Sequence, residues 1–244
     1  MSTPSIKGAT ATELAAVPCF TTFQDLNSQS KYCVSDFIKK CSRTTPQDID
    51  TLINEPPGFD FSTAVWLFEH LRQICRDLGL LLVELNADVC TAASCPEMIV
   101  TDKYHYLCAA HVGTNSCSAM DYSVHTLEGT VSSLNSVKIF PNCNDIDNKQ
   151  IPKFRTMLRR LYRILAHAHF HHPQTFASFE TKTCLTLRLH RLAIKYQLIP
   201  AEQLIIPGLR WRGCAGCYCG GRVQSLHPPT TCRFQRLYSF FTRS

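Results

Sequence analysis

Cysteine and histidine residues in two separate segments have the types and spacing of a tetrahedral zinc site. Cys90 and Cys95 stand with four residues between them in a polar segment, and four histidines crowd a second segment further along: His167, His169, His171 and His172. Thiolate and imidazole are the usual ligands of structural zinc, and closely spaced pairs are typical of such sites. The two segments lie too far apart for a zinc finger, so a metal here would hold a loop against a helix end. The alternative interpretation is buried thiols beside unrelated surface imidazoles.

The choice of histidines stays open at this level. On a helix, positions i and i+4 lie about 40° apart, which favours His167 with His171, whereas His167 and His172 lie about 140° apart. The second pair requires the helix to end or bend between them, and Pro173 is compatible with an ending there. Four protein ligands would leave no open coordination position, so the zinc would be structural rather than catalytic.

Three arginines supply a second kind of chemistry. Arg159, Arg160 and Arg163 are spaced so that their guanidinium groups project from one side of a helix. Such clusters bind phosphorylated peptides, because the planar guanidinium matches phosphate oxygens; the alternative is an ordinary solvated helix face. The sequence contains no Gly-rich phosphate loop, nucleophile elbow or zinc-protease motif, so we expect no enzyme.

Helical periodicity dominates the elements that must position these groups. One apolar stripe predicts a long core helix beginning near Ser62; it comprises Val65, Phe68, Leu71, Cys75, Leu78, Leu82 and Leu85. Helices are also predicted from Ser30 to Cys41 and from a start at Thr45–Asp48. Three later apolar stripes predict three more helices. Their residues are Val124, Leu127, Val131 and Leu134 in the first; Phe154, Met157, Leu158, Leu161, Leu165 and Ala168 in the second; and Leu185, Leu189, Leu192 and Tyr196 in the third. Residues 98–108 favour a short β-hairpin. The fold class is therefore all-α, a helical bundle around one core.

Composition narrows the function classes. The chain has 244 residues, 45% of them hydrophobic, and 14 cysteines. With neither a secretory signal nor an apolar run of bilayer length, we expect a reduced, cytoplasmic protein without a membrane span. The net charge of +6 comes from the Arg residues after Gly208. Nucleic-acid binding would therefore rest on that tail alone.

Several ordered sequence blocks resemble the Mob/phocein family of kinase co-activators. The similarity extends over roughly residues 30–207, and the blocks include Val65-Trp66-Leu67-Phe68-Glu69-His70, Tyr106-Leu107-Cys108-Ala109-Ala110-His111, Cys117–Tyr122, Arg159–Ile164, Ala166–His172 and Lys195–Ile199. The resemblance implies a Mob-type helical bundle with one structural zinc held by Cys90, Cys95, His167 and His172, and thus selects His172 over His171. It also implies a phosphopeptide pocket at Arg159, Arg160 and Arg163.

The same resemblance implies a non-catalytic adaptor or kinase-regulatory subunit without a small-molecule substrate. The phocein branch belongs to the striatin-associated phosphatase and kinase assembly, so the expected partners are germinal-centre kinases and a striatin-like scaffold. The alternative is an activating subunit of NDR- or LATS-type kinases. We expect a cytoplasmic location, perinuclear or at the Golgi, with membrane association only through partners.

The domain organisation has three parts. Residues 1–27 are predicted to be a flexible arm, 28–207 the Mob/phocein domain, and 208–244 a divergent tail, interpreted as a disordered extension. Alternatively the tail binds nucleic acid or holds a second metal, with ligands from Cys214, Cys217, Cys219 and Cys232. Trp66 is interpreted as a core anchor rather than a docking residue, and small buried apolar groups are the interpretation of Cys108, Cys117 and Cys184.

Overall fold

The computed structural model describes residues 33–56, 61–88, 90–111 and 117–207, which contain seven α-helices, one short β-hairpin and two single-turn 3-10 helices, Asn148–Gln150 and Ala201–Gln203. The predictions for the arm at 1–27 and the tail at 208–244 lie outside these residues. The elements are α1 (Cys33–Thr44), α2 (Ile49–Ile53), α3 (Thr63–Ala87), β1 (Ile99–Thr101), β2 (Tyr104–His105), α4 (Ala119–Leu134), α5 (Ile151–His171), α6 (Pro173–Thr183) and α7 (Leu185–Lys195). The predicted helical fold with a small antiparallel hairpin is confirmed.

Helix α3 is the central element, as the sequence predicts. It begins at the Ser62 cap, where the side-chain oxygen accepts a hydrogen bond from the Val65 amide at 3.3 Å. All residues of the predicted apolar stripe are buried, and α3 packs against α1, α4, α5 and α6. The long helix thus supplies the wall on which the other helices assemble.

Trp66 on α3 is a core residue. It is fully buried and stacks on Phe61 with ring centroids 5.8 Å apart, so its interpretation as a core anchor is confirmed. The fully buried ring of His70 packs edge-on against it. Burial lowers the pKa of His70 to about 3, so this imidazole is neutral at physiological pH.

Two helices differ from prediction. Helix α2 begins at Ile49 rather than at Thr45, because Asp48 is the residue whose carboxylate caps it, accepting from the Thr51 amide at 3.2 Å. On α4 the predicted stripe is only partly the buried face, since Val124 and Val131 remain more than one third exposed.

The buried face of α4 instead contains short polar side chains. Ser123 and Thr130 are buried, and each hydroxyl donates to the carbonyl oxygen four residues earlier, at 2.7 and 2.8 Å. Because their polar atoms are satisfied within the helix, these residues can face the core at little cost.

Helix α6 lies in a stretch for which the sequence predicts no element. Pro173 occupies its first turn and Cys184, with φ of 48°, separates it from α7. The buried Arg188 of α7 pairs with Asp77 of α3 and so joins the last helix to the central one. Within the described residues, every helix is too short or too polar to cross a bilayer.

Candidate metal centre

The structure brings the two predicted Cys/His segments together. Cys90 and Cys95 lie in the loop between α3 and β1, His167 lies on α5, and His172 lies at the junction of α5 and α6. All four side chains are buried, and one ligand atom from each lies within 4.8 Å of the others. We name this group the core cluster.

The end of α5 determines which histidine joins the core cluster. His171 is the last residue of the helix, and His172 has already left it with φ of −131° and ψ of 58° before Pro173 opens α6. His171 is exposed and stacks on the His167 ring with centroids 4.6 Å apart. The preference for His171 from regular helix geometry is therefore wrong, because the helix does not continue between the two residues.

Distances in the core cluster match a tetrahedral site. The Cys90 Sγ atom lies 3.6 Å from Nε2 of His167, and the Cys95 Sγ atom lies 3.5 Å from Nε2 of His172. With metal–sulfur and metal–nitrogen bonds of about 2.3 and 2.0 Å, the sulfur–nitrogen edge of a zinc tetrahedron is about 3.6 Å. Both sulfur–nitrogen distances thus equal the edge expected for a shared zinc ion, and all four ligand atoms lie within 4.8 Å of one another.

The second nitrogen of each imidazole already has a partner. Nδ1 of His167 lies 2.7 Å from the carbonyl oxygen of Ile99, and Nδ1 of His172 lies 3.2 Å from a carboxylate oxygen of Asp88. Because a carbonyl accepts, Nδ1 of His167 carries the proton and Nε2 presents its lone pair to the cluster. Metal-binding histidines are oriented in this way by carbonyl and carboxylate groups.

Electrostatics also suit a cation. Burial, reinforced by the neighbouring Cys95, raises the pKa of Cys90 to about 12, and burial lowers the pKa of His167 to about 4. The histidine therefore stays neutral and able to coordinate, while the thiol needs a nearby positive charge to ionise. The donor set fits a metal ion, and the core cluster could hold one.

The three predicted arginines lie on α5. Arg159 and Arg160 are exposed, and within the described residues neither forms an ion pair. Arg163 is half-buried: its guanidinium lies over the Tyr106 ring, 4.1 Å from the centroid, and donates to the Tyr122 hydroxyl at 2.8 Å. Because α5 contains no acidic residue, this face is uniformly basic. Its role in phosphopeptide binding stays a prediction.

One group escaped the sequence-based interpretation. Cys108 is buried, as predicted, whereas Cys117 is only half-buried. Both thiols face the imidazole of His125, a contact that the sequence-based interpretation missed. Cys184 is also half-buried. The available signal was the short Cys108-x2-His111 spacing, which falls among those of zinc ligands.

Fold and cluster together define a helical protein in which a Cys/His site ties a loop to a helix end. The Mob1/phocein family matches residues 40–207, and the chain belongs to this family.

Relatives extend the match over most of the chain. MOB kinase activator-like 4 of Drosophila melanogaster is 38% identical over 178 residues, which cover 73% of this chain and 78% of the relative. MOB-like protein phocein of Caenorhabditis elegans is 37% identical over 185 residues, covering 76% and 81%. A more distant match is the maintenance of ploidy protein mob1 of Schizosaccharomyces pombe, 32% identical over 53% of this chain and 63% of that protein.

Proposed function

We propose that this chain is a non-catalytic adaptor or kinase-regulatory subunit, stabilised by one structural zinc ion at Cys90, Cys95, His167 and His172. Relatives with kinase activator in their names support a regulatory role, and the buried Cys/His geometry supports the zinc. Since all four ligands come from the protein, the metal would stabilise the fold and take no part in a reaction.

The basic face of α5 is the observation that carries this proposal. The same helix supplies a buried ligand near one end, His167, and exposed guanidinium groups in its middle. A metal that fixes the end of α5 therefore also fixes the helix on which a phosphate would bind. We infer that Arg159, Arg160 and Arg163 bind a phosphorylated serine or threonine of a partner.

Arg163 is already positioned before any ligand arrives. Its contacts with Tyr106 and Tyr122 hold the guanidinium, so little side-chain entropy remains to be lost on binding. Arg159 and Arg160 lie exposed nearby and can close on the phosphate from the solvent side. A phosphopeptide would thus meet one fixed and two adaptable arginines.

The test is binding of a fluorescent phosphothreonine peptide to the full chain. We expect Arg160→Ala to weaken binding roughly 10-fold or more, because a charge-assisted hydrogen bond is worth about 1.5–3 kcal/mol. Affinity should fall as salt rises. Arg43→Ala, which removes an exposed arginine from α1, is the matched control and should have no effect. Equal binding of the unphosphorylated peptide would refute the pocket.

The proposed partners are germinal-centre kinases and a striatin-like scaffold, and the proposed location is cytoplasmic, perinuclear or at the Golgi. The proposed partners follow from the resemblance to the phocein branch, and similarity to the MOB-like protein phocein supports membership of that branch. The location stays a prediction. The second candidate is an activating subunit of NDR- or LATS-type kinases, favoured by similarity to the DBF2 kinase activator protein MOB1 of Saccharomyces cerevisiae, although at only 26% identity. Affinity purification with mass spectrometry separates the two, since recovery of NDR kinases without a striatin-like scaffold would overturn the first.

A further inference from the structure

A second Cys/His group lies between the β-hairpin and α4. Its members are Cys108, His111, Cys117 and His125, and their ligand atoms all lie within 4.8 Å of one another. We name it the hairpin cluster. Cys108 follows β2, Cys117 immediately precedes the Ser118 cap of α4, and His125 lies on α4 itself.

One nitrogen of this cluster faces two sulfurs. Nδ1 of His125 lies 3.6 Å from the Sγ atom of Cys108 and 3.7 Å from that of Cys117. An imidazole nitrogen has either one lone pair or one proton, so it cannot make two good hydrogen bonds in different directions. Both distances match the sulfur–nitrogen edge of about 3.6 Å in a zinc tetrahedron, so a common central cation accounts for them together.

Further contacts hold the members of the cluster in place. The Ala110 amide lies 3.5 Å from the Cys108 Sγ atom and donates to it. His111 stacks edge-on against His125 with ring centroids 4.8 Å apart, which holds the fourth donor beside the other three. Simple apolar packing does not explain this arrangement, because His111 is exposed and Cys117 half-buried.

We propose that the hairpin cluster is a second structural zinc site, with Cys108, His111, Cys117 and His125 as its ligands. Two thiolates and two imidazoles in tetrahedral array select zinc among the common divalent metals, and four protein ligands leave no open position for catalysis. The site joins the exit of the hairpin to the start of α4. It involves none of the core-cluster residues and does not depend on the proposed adaptor function.

Metal content of the full-length chain, purified without an affinity tag, tests this proposal. Native mass spectrometry and elemental analysis should both find two zinc ions per chain. Cys117→Ser should lower the count to one, and so should Cys108→Ser. The matched control is Cys143→Ser, which removes a free, partly buried thiol outside both clusters and should retain two ions.

A conservative substitution distinguishes the loss of a metal ligand from misfolding. His125→Cys keeps a zinc-binding donor at the same position and should retain the second ion, whereas His125→Ala should lose it. With cobalt replacing zinc, the visible absorption of tetrahedral thiolate coordination should correspond to two sites in the wild type and to one in His125→Ala.

Several results would overturn the assignment. A wild-type chain holding a single zinc that Cys117→Ser leaves in place would refute it. So would an intact mass showing that Cys108 and Cys117 form a disulfide in the metal-free chain as purified.

Discussion

The core cluster and the hairpin cluster each contain two cysteines and two histidines, but they connect different parts of the chain. Sulfur–nitrogen contacts of the core cluster join residues 77 positions apart, whereas those of the hairpin cluster join residues 17 and 8 apart. The core cluster is buried throughout, and the hairpin cluster exposes His111. One cluster therefore ties distant segments together inside the protein, and the other closes a local loop at its surface.

The expected free energies indicate whether sequence separation or burial matters more for stability. Loop-closure entropy grows slowly, so a cross-link over roughly 15 residues contributes about 3 kcal/mol and one over 100 residues about 4.7 kcal/mol. Burial has the larger consequence: without a cation, the core cluster leaves four polar side chains packed against one another out of contact with water. Each poorly satisfied buried group costs about 1–3 kcal/mol. The core cluster should therefore dominate the stability of the fold.

Cys90→Ser should have the largest effect of any change in either cluster. Loss of a buried ligand should release the proposed metal and leave His167, His172 and Cys95 without it, and structural zinc contributes about 10–16 kcal/mol to the folding of zinc-finger peptides. We expect loss of the cooperative thermal transition, measured by circular dichroism. Cys75→Ser, which changes a buried thiol of α3 outside both clusters, should retain a transition. A Cys90→Ser chain that melts like the wild type would refute the ranking.

Cys117→Ser should destabilise the protein without unfolding it. Opening a short cross-link removes about 3 kcal/mol, and for a chain of this size that corresponds to a fall of roughly 6–12 °C in Tm. Differential scanning calorimetry of this variant beside Cys143→Ser measures the effect. An unfolded Cys117→Ser chain would contradict the comparison, since the two clusters would then contribute equally to the stability of the fold.

The sequence predicts which segments form the core cluster, but not which histidine of the second segment joins it. Two closely spaced pairs indicate the donors, yet regular helix geometry selects the wrong histidine, because α5 ends at His171 and His172 leaves the helix before Pro173 opens α6. The resemblance to a family selects His172 and is consistent with the observed cluster. The stripe of α3 is predicted in full for a simpler reason: its periodicity is long and its cap, Ser62, is explicit.

The hairpin cluster could not be predicted with the same ease. His125 is a ligand candidate only because α4 begins beside the exit of the hairpin, a placement fixed by contacts such as the hydrogen bond from the Ala119 amide to the Cys95 carbonyl, 2.9 Å long. In the sequence, Cys108 and Cys117 look like buried apolar residues. Likewise, the hydroxyls of Ser123 and Thr130 form hydrogen bonds within α4. Because these polar residues are buried, the spacing of apolar residues alone does not predict the buried face of this helix.

Asp88→Asn should weaken metal binding at the core cluster only. The carboxylate lies 3.2 Å from Nδ1 of His172 and is itself about half exposed, so the substitution removes an orienting charge without opening the core. Loss of such a partner usually costs about 10–100-fold in metal affinity. Competition with a chromogenic chelator measures it, and Glu97→Gln, which changes an exposed carboxylate 3.9 Å from His105 in the hairpin, is the control. Earlier release from the hairpin cluster in Asp88→Asn would contradict the assignment.

The smallest expected effect connects the hairpin cluster to the basic face of α5. Tyr106 lies two residues before Cys108, and Tyr122 three residues before His125, so the segments joined at this cluster also hold the guanidinium of Arg163. Loosening them should let Arg163 move without removing its charge, at a cost of about 0.5–1.5 kcal/mol for one side chain that must then be ordered on binding. We therefore expect Cys117→Ser to weaken phosphothreonine-peptide binding by roughly 3–10-fold, and Arg163→Ala to make the further loss of Cys117 nearly silent. Fluorescence titration of the two single variants and the double variant measures this coupling. If the two losses simply add, the cluster stabilises the fold but does not position Arg163.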